Sequence, residues 1–194
     1  MAAVGGTIFR IRRTWDGEPA AASECVEVRV EAGQEQVRVE IDAPFHDDPR
    51  PPEPPGPQPG LFEFEVVELF LVGDDERYLE IEVGPHGHHW VLALHGCRRI
   101  VREGIPVDLD VDLDRRLGRW HARVSFSPDL LPAGLARANA YAIHGVGGAR
   151  RYLAAYPVPG DEPDFHRLDA FPTWEVPSAG PDLAPGGAAP PSEL

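Results

Sequence analysis

Apolar and polar residues alternate with a period of two along most of the chain. Examples are Val26-Val28-Val30, Val37-Val39-Ile41 and Leu79-Ile81-Val83. Such alternation is typical of strands with one buried face. Further short strands are predicted at Val66 to Val72, His89 to His95, Arg99 to Arg102, Leu109 to Leu113, Trp120 to Phe126 and Asn139 to His144. A set of about nine strands separated by Gly, Pro and Asp turns predicts an all-β antiparallel sandwich.

Two proline-rich segments interrupt this pattern. The segment from Pro44 to Gly60 is dominated by prolines. Because proline cannot donate to a ladder of hydrogen bonds, we expect a long surface loop, partly polyproline II. Residues 177–194 are mostly Pro, Gly and Ala with no aromatic residue, which predicts a disordered tail. The sequence therefore predicts one domain over residues 7–176, containing a proline-rich loop at residues 44–60.

Charge and composition narrow the possible functions. All 18 basic residues are arginines, and they face 32 acidic residues, for a net charge of −14. This balance argues against nucleic-acid binding, and the absence of lysine excludes Schiff-base, pyridoxal and P-loop chemistry. No apolar run has the length of a secretory signal or a membrane span. We expect a cytoplasmic protein with reduced cysteines, no cofactor and no membrane contact.

Ionisable residues are frequent on the polar faces of the predicted strands. Glu68 lies in a strand with apolar residues on both faces, so it should be partly buried and need a partner. Arg123 is the predicted partner, because its guanidinium can form a bidentate pair with a carboxylate. Glu80 and His144 are further candidates. These residues could be solvent-facing or form a structural ion pair, or they could line a ligand-binding face.

A histidine-rich run offers a different chemistry. It extends from Gly84 to His89 and is compatible with a turn between strands or with metal binding. In the second case His86, His88 and His144 would bind the metal of a hydrolase or isomerase, with Glu80 as the base. A third hypothesis is that the prolines of Pro49–Pro59 dock on an aromatic groove of a protein partner.

Several motifs together resemble the human chromosome-four open-reading-frame-thirty-three family, which has no assigned activity. The shared motifs are Thr14-Trp15-Asp16-Gly17, Ala43-Pro44-Phe45, Asp48-Pro49, Glu65-Val66-Val67-Glu68, Tyr78-Leu79-Glu80, Gly84-Pro85-His86-Gly87, Ala142-Ile143-His144-Gly145, Tyr156-Pro157-Val158-Pro159 and Pro163-Asp164-Phe165-His166. The resemblance runs from about Phe9 to Trp174 and implies family membership without implying a function.

The middle third of the chain is also similar to family nine carbohydrate-binding modules and the related DOMON sandwiches. The similarity rests on Val67-Glu68-Leu69-Phe70 and on the Tyr78 to Gly87 segment. It implies a β-sandwich in which tryptophans stack on sugars while carboxylates and arginine bind the hydroxyls. We therefore expect a non-catalytic protein that binds a small, carbohydrate-like ligand. The predicted site residues are Glu68, Glu80, Arg123 and His144, with Trp15 and Tyr152 as stacking groups.

Overall fold

The computed structural model describes residues 6–174 and has the predicted antiparallel sandwich architecture. Its strands are β1 (Thr7–Ile11), β2 (Arg13–Thr14), β3 (Val26–Ala32), β4 (Val37–Pro44), β5 (Val66–Val72), β6 (Arg77–Val83), β7 (His89–His95), β8 (Ile100–Glu103), β9 (Asp108–Asp114), β10 (Arg119–Phe126), β11 (Arg137–His144) and β12 (Arg151–Ala154). Short 3₁₀ turns lie at Ala22–Glu24, Leu61–Glu63, Pro128–Leu130, Gly147–Ala149 and Leu168–Ala170. Within residues 6–174, none of the helical segments is long and apolar enough to cross a membrane.

The strands form two antiparallel sheets. The five-stranded sheet has the order β1-β3-β4-β10-β9, and the seven-stranded sheet has the order β2-β12-β11-β5-β6-β7-β8. The acidic strand β9 lies at an edge, where its charged side chains discourage pairing with other molecules. The expected tail at residues 177–194 lies outside the described residues.

The main core lies between the two sheets. Val28 and Val39 face it from the five-stranded sheet, and Leu71 and Leu79 face it from the seven-stranded sheet. Trp120 is 1% exposed, and its indole N–H donates to the carbonyl of Pro44 at 3.1 Å. That bond satisfies the single polar group of a large side chain whose burial stabilises the sandwich.

A second apolar cluster, the outer core, covers the opposite face of the seven-stranded sheet. It joins strand residues such as Phe70 and Tyr141 to Phe165 and Phe171 from the C-terminal part of the described chain. The rings of Tyr141 and Phe165 stack with centroids 3.9 Å apart. All seven residues of β5 are consequently buried, on both faces of the sheet. This seven-stranded sheet is therefore packed on both sides.

The proline-rich segment is more closely attached to the domain than the sequence predicts. The amide of Gly56 donates to the carbonyl of Gly87 at 3.1 Å, and that of Gln58 donates to His89 at 2.8 Å. Glycine and glutamine retain the N–H that proline lacks, so the expectation that this segment makes no ladder contact is wrong. Docking of Pro49–Pro59 on a protein partner stays a prediction.

Candidate functional site

The outer face of the seven-stranded sheet contains a cavity of about 400 Å³, here called the outer cavity. Strands β5, β6 and β7 form its floor. One wall includes Pro59, Gly60 and Phe62, and another includes the segment from Pro163 to His166. Its ionisable residues are Glu68, Glu80, Glu82, Arg98, Glu103 and His166, and its aromatic residues include Phe62, Trp90, Tyr152 and Phe165.

Three buried carboxyl groups share the floor of the outer cavity. Glu68 and Glu82 lie directly opposite each other in the antiparallel register of β5 and β6. Glu80 precedes Glu82 by two positions and therefore projects from the same face. The three residues are only 2%, 4% and 1% exposed, in the order Glu68, Glu80, Glu82. The Oε2 atoms of Glu80 and Glu82 are both buried, and neither has a hydrogen-bond partner among the described residues.

Burial controls the protonation of these carboxyls. It raises the pKa of Glu80 to about 7, although the charge of Arg98 partly opposes the rise. Burial, and then the charge of Glu80, raises the pKa of Glu82 to about 8. The pKa of Glu68 is also well above its usual range, first through burial and then through Glu82 and Glu80. Like charges cannot be crowded into a poorly hydrated space, so these groups retain protons near neutral pH.

A hydrogen-bonded chain approaches Glu80 from the wall of the cavity. The backbone N–H of Arg98 donates to the Tyr78 hydroxyl at 3.2 Å, and that oxygen lies 2.7 Å from Nδ1 of His166. Which of these two groups donates to the other depends on the tautomer of His166. Nε2 of His166 then faces Oε2 of Glu80 at 4.0 Å. Burial lowers the pKa of His166 to about 4, so the imidazole is neutral at physiological pH.

Aromatic rings enclose the carboxyls. Trp90 is the cross-strand neighbour of Glu82, so both side chains lie on the same face. Tyr152 packs edge to face with Phe165, their centroids 6.2 Å apart. The guanidinium of Arg150 lies 5.8 Å from the centre of the Tyr152 ring. The outer cavity thus combines ionisable oxygens with flat apolar surfaces.

The structure brings together half of the six residues that the sequence predicts for the site. Glu68, Glu80 and Tyr152 line the outer cavity. Arg123 lies on β10 in the other sheet, with a 68% exposed side chain that is 3.7 Å from Glu40. The predicted pair of Glu68 with Arg123 is therefore wrong. The prediction fails because β10 pairs with β4 and β9 in the five-stranded sheet, and strand alternation alone does not determine which strands pair.

His144 and Trp15 also lie away from the carboxyls. Nε2 of His144 is 3.1 Å from Oε1 of Glu24, and its ring stacks on His46 at 3.6 Å between centroids. His144 thus belongs to a separate cluster, and its predicted place beside Glu68 and Glu80 is wrong. Trp15 packs against the outer core, and its backbone N–H donates to the carbonyl of Tyr152 at 3.0 Å. It does not line the outer cavity.

The histidines of the metal hypothesis have separate partners. His86 packs edge to face on Phe45 at 5.6 Å, while Nε2 of His88 lies 2.9 Å from the carbonyl of Glu53. His144 bonds to Glu24, and Glu80 lies near His166 instead. Among residues 6–174, no three His, Cys, Asp or Glu side chains are arranged to hold a metal ion. The structure therefore does not assemble the proposed ligand set.

Glu82, Trp90 and His166 line the outer cavity but are not among the predicted site residues. Glu82 shares the strand face of Glu80, so its position was visible in the alternation of β6. The alternation of β7 predicts that Trp90 shares the core-facing side with Leu92 and Leu94; the three do share a side, but it faces the outer core, while Val91 faces the main core. His166 comes from a segment without regular secondary structure, and no local pattern indicates where such a segment packs.

Comparison with known proteins places the chain in a family. It is 39% identical over 172 residues to UPF0462 protein C4orf33 homolog of Danio rerio, covering 84% of this chain and 86% of the relative. It is also 39% identical to human UPF0462 protein C4orf33, covering 84% of this chain and 85% of the relative. No family model matches the chain.

A solved structure shares the fold. It is a Bacteroides uniformis protein described as a "putative carbohydrate-binding protein", with a TM-score of 0.65 and 16% identity. The likeness covers 86% of this chain and 84% of that protein. At this identity it supports the sandwich architecture. The sequence relatives are the stronger finding, and they show that the chain belongs to the UPF0462 family of C4orf33 proteins.

Proposed function

We propose that this protein binds a small, polar, carbohydrate-like ligand in the outer cavity without transforming it. The observation that carries the proposal is the presence of buried, unpartnered carboxyl oxygens on Glu80 and Glu82 beside the ring of Trp90. A buried polar atom without a partner costs about 1 to 3 kcal/mol. A ligand with hydroxyl groups would supply the missing hydrogen bonds.

The dimensions and lining of the cavity support a ligand of this class. Its volume of about 400 Å³ lies within the range of small-molecule sites. Trp90 and Tyr152 offer flat surfaces against which the apolar face of a sugar ring can pack. The description of the Bacteroides uniformis protein as "putative carbohydrate-binding" agrees with the same ligand class on the same fold.

The test is a binding panel on the purified protein. Neutral, aminated and phosphorylated monosaccharides are compared by thermal shift, and each hit is measured by isothermal titration calorimetry with and without chelator. A ligand that binds only the folded state raises the melting temperature. We expect a chelator-insensitive shift with at least one sugar, and none with sugar phosphates, because a phosphate would lose its hydration in a cavity whose floor carries acidic groups.

Matched variants locate the site. Trp90→Ala and Glu80→Gln should each weaken binding about tenfold or more, since each removes a contact in a desolvated site. Arg123→Ala, on the outer face of the other sheet, should leave affinity unchanged. A full panel without a shift, or binding that survives both cavity substitutions, would remove the outer cavity as the site.

A further inference from the structure

We infer that the ligand of the outer cavity carries an ammonium group, which binds between the carboxylates of Glu80 and Glu82 and against the ring of Trp90. The inference rests on the proposed function and specifies the ligand further. Both carboxyls have an unpartnered Oε2 atom, and both side chains are more than nine-tenths buried while lining the cavity. The site therefore has acceptors whose partner must come from outside the described protein.

The cations near the cavity are already engaged. Arg98 lines the cavity, but its guanidinium donates to Oδ1 of Asp164 at 2.7 Å. Arg150 lies near Glu68, but its guanidinium donates to the carbonyls of Phe62 and Glu63. Neither arginine forms an ion pair with the three floor carboxyls. The floor consequently lacks a protein cation of its own.

The ionisable groups around the floor include more acids than bases. The groups that face the floor from each surrounding element are Glu68 on β5, Tyr78, Glu80 and Glu82 on β6, Arg98 after β7, Glu103 on β8, Tyr141 on β11, Arg150 and Tyr152 at β12, and Asp164 and His166 on the wall. Tyr78, Tyr141 and His166 are neutral at physiological pH, because burial raises the pKa of the two tyrosines and lowers that of His166. When the floor carboxyls lose their protons, the carboxylates around the cavity therefore outnumber the arginines.

An ammonium fits these surroundings better than a neutral sugar. A neutral ligand leaves the buried carboxyls protonated, whereas a cation between them favours their charged form. An ammonium also donates three hydrogen bonds, which matches a pair of unpartnered oxygens. The neighbouring indole adds attraction, since a tryptophan ring face binds cations. Binding should thus expel protons that the carboxyls hold in the free protein.

Proton release gives a direct test that binding alone does not. Glucosamine and glucose are titrated calorimetrically in phosphate and in Tris at about pH 7, where the amine of glucosamine is mostly protonated, with putrescine as an aliphatic ammonium probe. The difference in apparent heat between buffers reports the number of protons released. We expect glucosamine to bind at least about tenfold more tightly than glucose, with about one proton released per ligand. Its affinity should fall at about pH 6, where the carboxyls are protonated.

Two cavity variants and one control complete the experiment. Glu82→Gln and Glu80→Gln keep the side-chain shape and remove a titrating group, so each should reduce glucosamine affinity and proton release. Melting temperatures establish that both are folded, and Arg123→Ala should behave as the unmodified protein.

Each alternative result has a distinct meaning. Equal affinity for glucose and glucosamine without proton release would overturn the ammonium inference and leave the proposed function intact. Preferential binding of putrescine would support the inference that the ligand carries an ammonium group. It would overturn the proposal that the rest of the ligand is carbohydrate-like. Failure of all three probes to bind would overturn the ammonium inference. If the neutral sugars of the wider panel also did not bind, the proposed function would be overturned as well.

Discussion

The outer faces of the two sheets carry charged residues in the same alternation but have different physical characters. On the five-stranded sheet, Arg123 lies between Glu40 and Asp110 in the register, and all three side chains are exposed. On the seven-stranded sheet, Glu68 and Glu82 face each other and are almost fully buried. Opposite charges are paired on one face, while like groups are paired on the other, an arrangement that normally destabilises a sheet.

The difference arises from what covers each face. The groove on the five-stranded sheet is lined by partly or fully exposed side chains such as Arg29 and Asp112, so water screens its charges. The face of the seven-stranded sheet is covered by Phe165, Phe171 and neighbouring residues of the outer core. The same strand pattern thus produces a solvated surface in one place and a candidate site in the other.

The largest expected effect comes from the outer core. Phe70→Ala should lower the free energy of unfolding by about 3 to 5 kcal/mol, because Phe70 is fully buried and its removal leaves a cavity. Phe62→Ala is the matched control, since Phe62 is 53% exposed, and it should cost less than about 1 kcal/mol. Urea denaturation measures both. Equal losses would show that the outer core is not a tightly packed layer.

The pH dependence of stability should distinguish the two faces next. The pKa values of Glu80 and Glu82 are raised in the folded state, to about 7 and about 8, so the folded protein binds more protons than the unfolded chain. Stability should therefore fall as the pH rises from about 6.5 to about 9, by roughly 2 to 4 kcal/mol. Glu82→Gln should make the fall substantially smaller.

Arg123→Ala, on the exposed face, should leave this pH dependence unchanged. Denaturant titrations across the pH range provide the measurement. A flat profile in the unmodified protein would mean that the floor carboxyls are not held protonated.

A smaller effect is expected at the cavity wall. Tyr78→Phe removes the hydroxyl that connects Arg98 to His166, so the Arg98 backbone N–H and Nδ1 of His166 each lose a part-buried hydrogen bond. The loss should be about 1 to 2 kcal/mol by urea denaturation. Tyr156→Phe is the control, because Tyr156 is 45% exposed, and it should be nearly neutral. A stable Tyr78→Phe variant would indicate that water replaces the hydroxyl.

The smallest effect is expected on the five-stranded face. Asp110→Asn leaves Arg123 with Glu40 as its nearest acid, and both remaining side chains are hydrated. The free energy of unfolding should change by less than about 0.5 kcal/mol, and less still in about 0.5 M salt. A loss above about 1 kcal/mol would show that these pairs act as a network and would weaken the contrast between the faces.

Strand alternation predicted the parts of this picture that depend on local geometry. It placed Glu68 and Glu80 on strand faces with Phe70 and Tyr78, and the structure confirms those faces. The apolar residues flanking Glu68 also indicated burial, which is confirmed at 2% exposure. These inferences succeed because side-chain direction in a strand is fixed by its period of two.

The parts that failed depend on long-range pairing. The residues from Trp120 to Phe126 carry no local signal that shows which sheet the strand joins. The prediction that Arg123 lies beside Glu68 was therefore wrong, because the two strands belong to different sheets. Likewise, Trp90 and Val91 are both apolar, and alternation does not tell which one faces the main core. His166 reaches the site through an irregular segment, whose position is determined by tertiary packing and not by a local repeat.

The pairing of β4 with β10 has a consequence for folding kinetics. Trp120 and Pro44, which are joined across this seam, are 76 positions apart in the chain. Strands β5 to β8 of the other sheet lie between them in sequence, so the five-stranded sheet closes only after a long loop has been ordered. High contact order slows folding, and all-β domains of this kind typically need milliseconds to seconds. We therefore expect closure of the β4–β10 seam to be a late event that limits the folding rate.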